Sequence, residues 1–242
     1  MNKIIVSNDQ IESNFALEKT MDTIYIDVPD CFITYMNTDR KLKIVLRCDS
    51  VISEYLVQAS VDLTYTSTSK FDLSLYRFAY DSSYKTAFML DYEATNLNFI
   101  STGLNKNENN YQVDIYHNGK LTEALTDIHV INLSDQAFTI GVNSHLKKTG
   151  LKASSRQESM VILTRDAKVT IKPDLLVDHD NMQAEHSSYI GSFKESDLFY
   201  LMARSLPRSE AIKMLAKAFL IDKMQIDYNF KQLIIDYIAK YF

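Results

Sequence analysis

Apolar residues recur at every second position along most of this chain, and close to residue 191 that rhythm gives way to a helical one. Ile24, Ile26 and Val28 share one face of a stretch of period two, as do Leu42, Ile44, Leu46 and Cys48; Phe71, Leu73 and Leu75; Tyr111, Val113 and Ile115; and Val169, Ile171, Leu175 and Val177. Successive side chains of a strand point to opposite faces, so each stretch reads as a half-buried strand. Short polar breaks separate them, among them TSTSK, DSSYK and NKNENN, and His117-Asn118-Gly119-Lys120 is the clearest tight-turn signal. Many short strands with frequent turns indicate an all-β sandwich, a barrel or a β-solenoid, and spacing alone does not choose among them. The absence of a strict hexapeptide repeat argues against a regular left-handed β-helix.

Glycine is scarce, with 5 in 242 residues, so Asn, Asp and Ser must make the turns. The five glycines also lie too far apart for either glycine-rich phosphate cradle, which excludes nucleotide binding by those routes. Charge is nearly balanced, 26 Lys+Arg against 31 Asp+Glu, and no basic stripe appears, which argues against a nucleic-acid surface. The opening MNKIIVSNDQIESN lacks a signal-like apolar run, and nothing later has the length of a membrane span. The expectation is a cytoplasmic protein with no membrane partner. Cys31 and Cys48 have no CxxC spacing, and both read as small core hydrophobes rather than ligands or nucleophiles.

Residues 1–190 therefore form a β domain and 191–242 a helical one. Ser192 with Glu195 has capping-box spacing and predicts a helix from about Phe193 to Ser205. Pro207 suits the first turn of a second helix, whose apolar positions are Ile212, Leu215, Ala216, Phe219 and Leu220. A third is predicted over 229–241. The apolar faces either pack on one another and on the open end of the β domain, or present a docking surface.

From about residue 150 to 222 the chain resembles the SufB/SufD family of iron–sulfur cluster assembly scaffolds. Lys172-Pro173, Leu175, Asp178, His186, Gly191, the run Leu198-Phe199-Tyr200-Leu201, Arg204, Pro207, Glu210-Ala211 and Ala218-Phe219 fall at the family's spacing. The resemblance implies a right-handed parallel β-helix (β-solenoid) followed by a small α-helical domain. It also implies a non-enzymatic scaffold subunit that pairs with a SufB-like paralogue through its β-helix and docks a SufC-like ABC-type ATPase through its C-terminal helices. The docking residues would then be Leu198, Phe199, Leu201, Met202, Arg204, Ile212, Leu215 and Phe219.

His186 occupies the place of the family histidine at the subunit interface, an iron or cluster ligand by that account, with His179 and Glu185 as weaker additions. No cofactor would be held stably by the chain alone; iron or an Fe–S cluster would bind transiently in the complex. The β surface that a partner covers is also open to a second copy of the chain. Departures from the family pattern are Ser187 and Ser205 where glycines are usual, Ala184-Glu185 where a Cys-Ser pair is usual, and no cysteine after residue 48. These place the chain closer to SufD than to SufB, and its length suggests a member shortened at the N-terminus. A different class remains as an alternative, a β-solenoid carbohydrate-active enzyme using Asp178, His179, Asp180 and His186.

Overall fold

The computed structural model describes all 242 residues, as sixteen strands followed by three helices. The first eight strands are β1 (Asn2–Val6), β2 (Ile11–Ser13), β3 (Thr23–Ile26), β4 (Asp30–Met36), β5 (Lys41–Leu46), β6 (Ser50–Val57), β7 (Ser60–Ser67) and β8 (Asp72–Tyr80). The rest are β9 (Ser83–Leu90), β10 (Asn96–Asn105), β11 (Asn109–His117), β12 (Glu123–Asn132), β13 (Phe138–Leu146), β14 (Ser154–Leu163), β15 (Val169–Val177) and β16 (Gln183–Gly191). From β3 onward the odd-numbered strands form one sheet and the even-numbered strands another, in which β1 and β2 are the far edge. All pairings are parallel except β1 with β2. Parallel neighbours need a crossover, and here the crossover is the strand contributed to the opposite sheet. The result is a two-sheet parallel β-solenoid of about seven coils.

Register runs without offset through each sheet, so inward residues stack in rows. Ile52, Leu75 and Phe99 form one row, and Thr126, Gln157 and His186 continue it. The core between the sheets is these inward side chains, among them Ile44, Leu63, Phe88, Val113, Ile128 and Val142. It also holds charge. Arg77 and Glu54 are both fully buried, with Arg77 Nε 2.7 Å from Glu54 Oε2 and Nη1 donating to Thr86 Oγ1 at 2.7 Å. The Tyr35 and Tyr65 hydroxyls donate to the other carboxylate oxygen, and burial holds both phenols far above their usual pKa, so they remain donors. Every polar atom of Glu54 is thereby satisfied, as a charge in a dry interior requires.

The turns explain how so few glycines suffice. Asn37, Gln58 and Asp81 occupy equivalent corners of successive coils with φ 46°, and Ala94, Leu121 and Lys152 occupy a second set of corners with φ 56°, 56° and 60°. No glycine has positive φ. Left-handed backbone costs an ordinary residue about 1–2 kcal/mol. Each corner N–H offsets that cost by donating to the next coil, as from Gln58 to the Tyr80 carbonyl at 3.0 Å and from Leu121 to the Leu151 carbonyl at 3.0 Å. The His117–Lys120 turn joins strands of different sheets, so it is a coil corner and not a hairpin. Gly119 is needed there for space, because a Cβ would lie 2.4 Å from the Tyr92 carbonyl oxygen. Cys31 is buried as expected, and burial pushes its thiol up to about 12. Cys48 differs: β5 ends at Leu46, and the residue sits half-buried in the following turn, outside the core.

The helices are α1 (Glu195–Met202), α2 (Arg208–Ile221) and α3 (Tyr228–Tyr241). They do not plug the open end of the solenoid, which was one of the two expected positions. Ala216, Leu220, Phe230, Ile234 and Ile238 pack on the outer face of the even sheet, against Tyr55, Phe78, Tyr80, Ile100, Leu104 and Ile131. Burying both faces of those strands gives the sheet a second core. The predicted capping box does not form, since Lys194 is the N-cap of α1 with no side-chain cap. Glu195 instead pairs with Arg208 at 2.8 Å, a bond that lowers its pKa, and ties the starts of α1 and α2 together. Asp227 caps α3, its carboxylate accepting from the N–H groups of Asn229 and Phe230.

Candidate functional site at the last coil and the helices

The last coil, β15 with β16, is built like the others but nothing covers it. Ala184, His186, Ser188 and Ile190 stand in register with Ser155, Gln157, Ser159 and Val161, which are all buried. In β16 the same four positions are exposed. Leu176 and Val177 of β15 are exposed as well. An inward-facing row and two strand edges are thus left open to a partner.

His186 lies on this open inner face. Glu185 does not: adjacent strand residues point oppositely, and Glu185 is in register with exposed Arg156, to which it pairs at 3.2 Å on the outer face. Its carboxylate is therefore on the wrong side of the strand to orient the His186 ring. His179 lies in the turn between β15 and β16, with Nδ1 accepting from the Asn181 N–H at 3.1 Å. No three side chains among His, Cys, Asp and Glu are grouped so as to hold a metal ion anywhere in the chain, and that includes the Asp178, His179, Asp180, His186 set of the carbohydrate alternative.

The eight docking positions divide. Leu198 is buried, and Phe219 stacks on His129 with ring centroids 4.8 Å apart, so these two hold the helices in place. Phe199 and Arg204 are exposed, with Phe199 at 64%. Leu201, Met202, Ile212 and Leu215 are half-buried. Tyr200 and Met214, which the family spacing does not single out as docking residues, add exposed surface beside them, and the Arg204 guanidinium lies 4.3 Å over the Tyr200 ring. Ser205 keeps positive φ, 67°, so the conformation usual for a glycine at that position is retained by a serine. Ser187 does not; it is part of strand β16.

A polar cluster under the end of α2 escaped the sequence reading. Asp127 of β12 and Glu158 of β14 are register neighbours on the outer face, and His129 follows Asp127 on the same face. Lys223, just past α2, bridges both carboxylates and lies 3.0 Å from Asp127. His129 Nε2 is 3.1 Å from Glu158 Oε1, and Nδ1 is 3.0 Å from the Phe219 carbonyl oxygen. Partial burial alone would raise Glu158, but the bonds from Lys223 and His129 hold its carboxyl below the ordinary range. The same carboxylates outweigh desolvation and hold the Lys223 ammonium above its ordinary value. These four residues meet only through strand register and helix docking, and no sequence spacing marks them.

Residues 38–219 match a family model described as SUF system FeS cluster assembly, SufBD core domain. The chain is also similar to a protein of Bacillus subtilis (strain 168) named iron-sulfur cluster assembly protein SufD, with 30% identity over 141 residues. That match covers 56% of this chain and 32% of the relative, so the chain spans about a third of the length of the curated relative it matches.

Proposed function

This chain belongs to the SufB/SufD family of the SUF system for iron–sulfur cluster assembly, and on that premise we propose that it is a non-enzymatic scaffold subunit of a cluster-assembly complex. Its open last coil receives a SufB-like paralogue, and its helices dock a SufC-like ABC-type ATPase. The observation that carries the reading is the exposed inner row of β16. A solenoid whose stacking side chains and edges face solvent gains most of its missing burial from another β-helix laid end to end. A second copy of this chain would fill the same surface less specifically.

The nascent cluster is cargo in this account. His186 supplies one imidazole toward it, and the remaining ligands come from the partner, since this chain has no group of three side chains able to hold a metal ion by itself. Imidazole is a competent ligand for iron. Docking falls to Phe199, Tyr200, Arg204 and Met214, with the half-buried Leu201, Met202, Ile212 and Leu215 at the margin. Aromatic and Arg side chains that are already ordered make effective contact anchors.

Co-expression with the paralogue and the ATPase, followed by purification through a tag on this chain, tests the proposal. A ternary complex is expected, and Phe199→Asp should remove the ATPase while leaving the paralogue bound. His186→Ala should leave the complex whole and lower cluster assembly. Recovery of this chain alone, or unchanged ATPase retention in Phe199→Asp, would sink the corresponding half of the reading.

A further inference from the structure

Helices α2 and α3 are attached to the same sheet by different chemistry. The α3 interface is apolar and aromatic, supplemented by hydroxyl pairs between Tyr55 and Tyr237 and between Tyr80 and Tyr241. The last turn of α2 lies over charge: Asp127 and Glu158 on the sheet, Lys223 just past the helix, and His129 between them. Charges in a largely buried interface add little net stability over apolar packing, but they fix one geometry, because a displaced helix would leave them unpaired.

The two ring nitrogens of His129 face groups that only accept. A carboxylate lies beyond Nε2, and the Phe219 carbonyl lies beyond Nδ1. Phe219 is in the final turn of α2, where carbonyls have no intrahelical donor. Satisfying both acceptors needs both ring N–H groups, hence the imidazolium. A cation at a helix C-terminus is also favoured by the helix dipole. Charge count agrees: two carboxylates and one ammonium leave an excess negative charge that the imidazolium cancels.

We propose that His129 and Lys223, seated on Asp127 and Glu158, are positioning residues that latch α2 to the even sheet and so set the placement of the docking surface carried by α1 and α2. The latch holds with His129 doubly protonated and loosens when the ring loses a proton, because one of its two acceptors is then abandoned. α3 stays in place and acts as the fixed neighbour. The groups facing His129 from each packed element are Asp127 from β12, Glu158 from β14, and the Phe219 carbonyl and Lys223 from α2 and the segment after it. The link to docking rests on the function proposed above, whereas the latch itself is a property of the isolated chain.

Hydrogen–deuterium exchange of the full chain tests it without any partner. After correction for intrinsic rates, protection of residues 208–221 should fall as pH is raised and the ring loses its second proton, while residues 228–241 and the solenoid strands stay constant. His129→Gln should speed exchange in α2 about tenfold and remove its pH dependence. Lys223→Met, a change at a half-exposed side chain, should speed α2 in the same direction and serves if the His129 variant does not fold. Protection of α2 that is independent of pH in the parent chain, or equal loosening of α2 and α3 in the variants, would overturn the latch. Loss of ATPase capture in Phe199→Asp with these exchange results absent would leave the docking reading standing without it.

Discussion

A middle coil and the last coil of this solenoid carry the same alternation and reach opposite outcomes. Ile128 on β12 and Ile190 on β16 are both inward in register, yet the first is fully buried and the second is 43% exposed. Alternation therefore sets which way a side chain points, and only the presence of a further coil decides whether water is excluded from it. The polar character follows the same gradient. One interior row runs from Ile52, Leu75 and Phe99 to Thr126, Gln157 and His186, so the row turns polar as it nears the uncovered mouth.

The contrast is broken most severely from inside. Arg77→Met leaves the Glu54 carboxylate buried without its cation, although that cation is held charged by Glu54 against the cost of burial. A loss of about 3–5 kcal/mol is expected in denaturant unfolding. Replacing both residues, Glu54→Leu with Arg77→Met, should recover most of it, and equal damage in single and double variants would contradict the pairing argument. Next, Ile128→Ala should cost about 2–5 kcal/mol and Ile190→Ala less than about 1 kcal/mol; similar costs would mean that the last coil is covered in solution, and adding the paralogue should raise the second value toward the first.

Acid should then act on the helices before it acts on the coils. The pKa of Glu158 is depressed in the folded state, so its contribution is present above the ordinary carboxylate range and is lost as pH falls through the folded value. Hydrogen–deuterium exchange of residues 208–221 at falling pH, set against the solenoid strands and α3, should show α2 loosening first. The smallest effect is expected from Ser205→Gly, which relieves left-handed strain at φ 67° and should add up to about 1 kcal/mol to the stability of the α1–α2 turn.

Much of this was legible in the residues. The period-two stretches are strands, the change near Gly191 marks the helices, and the family spacing identifies the solenoid. Cys48 departs from the expected core position because β5 ends at Leu46, and the alternation continues in the sequence past the point where the chain turns. The capping box failed because Glu195 had a stronger partner in Arg208, thirteen residues away and on another helix. β8 carries a further signal: it reads DLSLYRFAY, apolar or aromatic at nearly every position from Leu75 on, as a strand covered on both faces must be. That run pointed to a layer over the even sheet. The Asp127, His129, Glu158 and Lys223 cluster gave no such signal, since its members are brought together by register between β12 and β14 and by where α2 comes to rest.

The coil corners have a consequence for how such a chain can change in length. Asn37, Gln58 and Asp81 are interchangeable in position, each closing its coil by the same hydrogen bond to the next. Removing the residues between two of them excises one whole storey and rejoins identical geometry, whereas removing a few residues within a coil shifts every row above it. Length in this architecture is counted in storeys, and the mouth is carried unchanged on a taller or a shorter tower, whereas excising the storey between Gln58 and Asp81 would also take Phe78 and Tyr80 from beneath the helices.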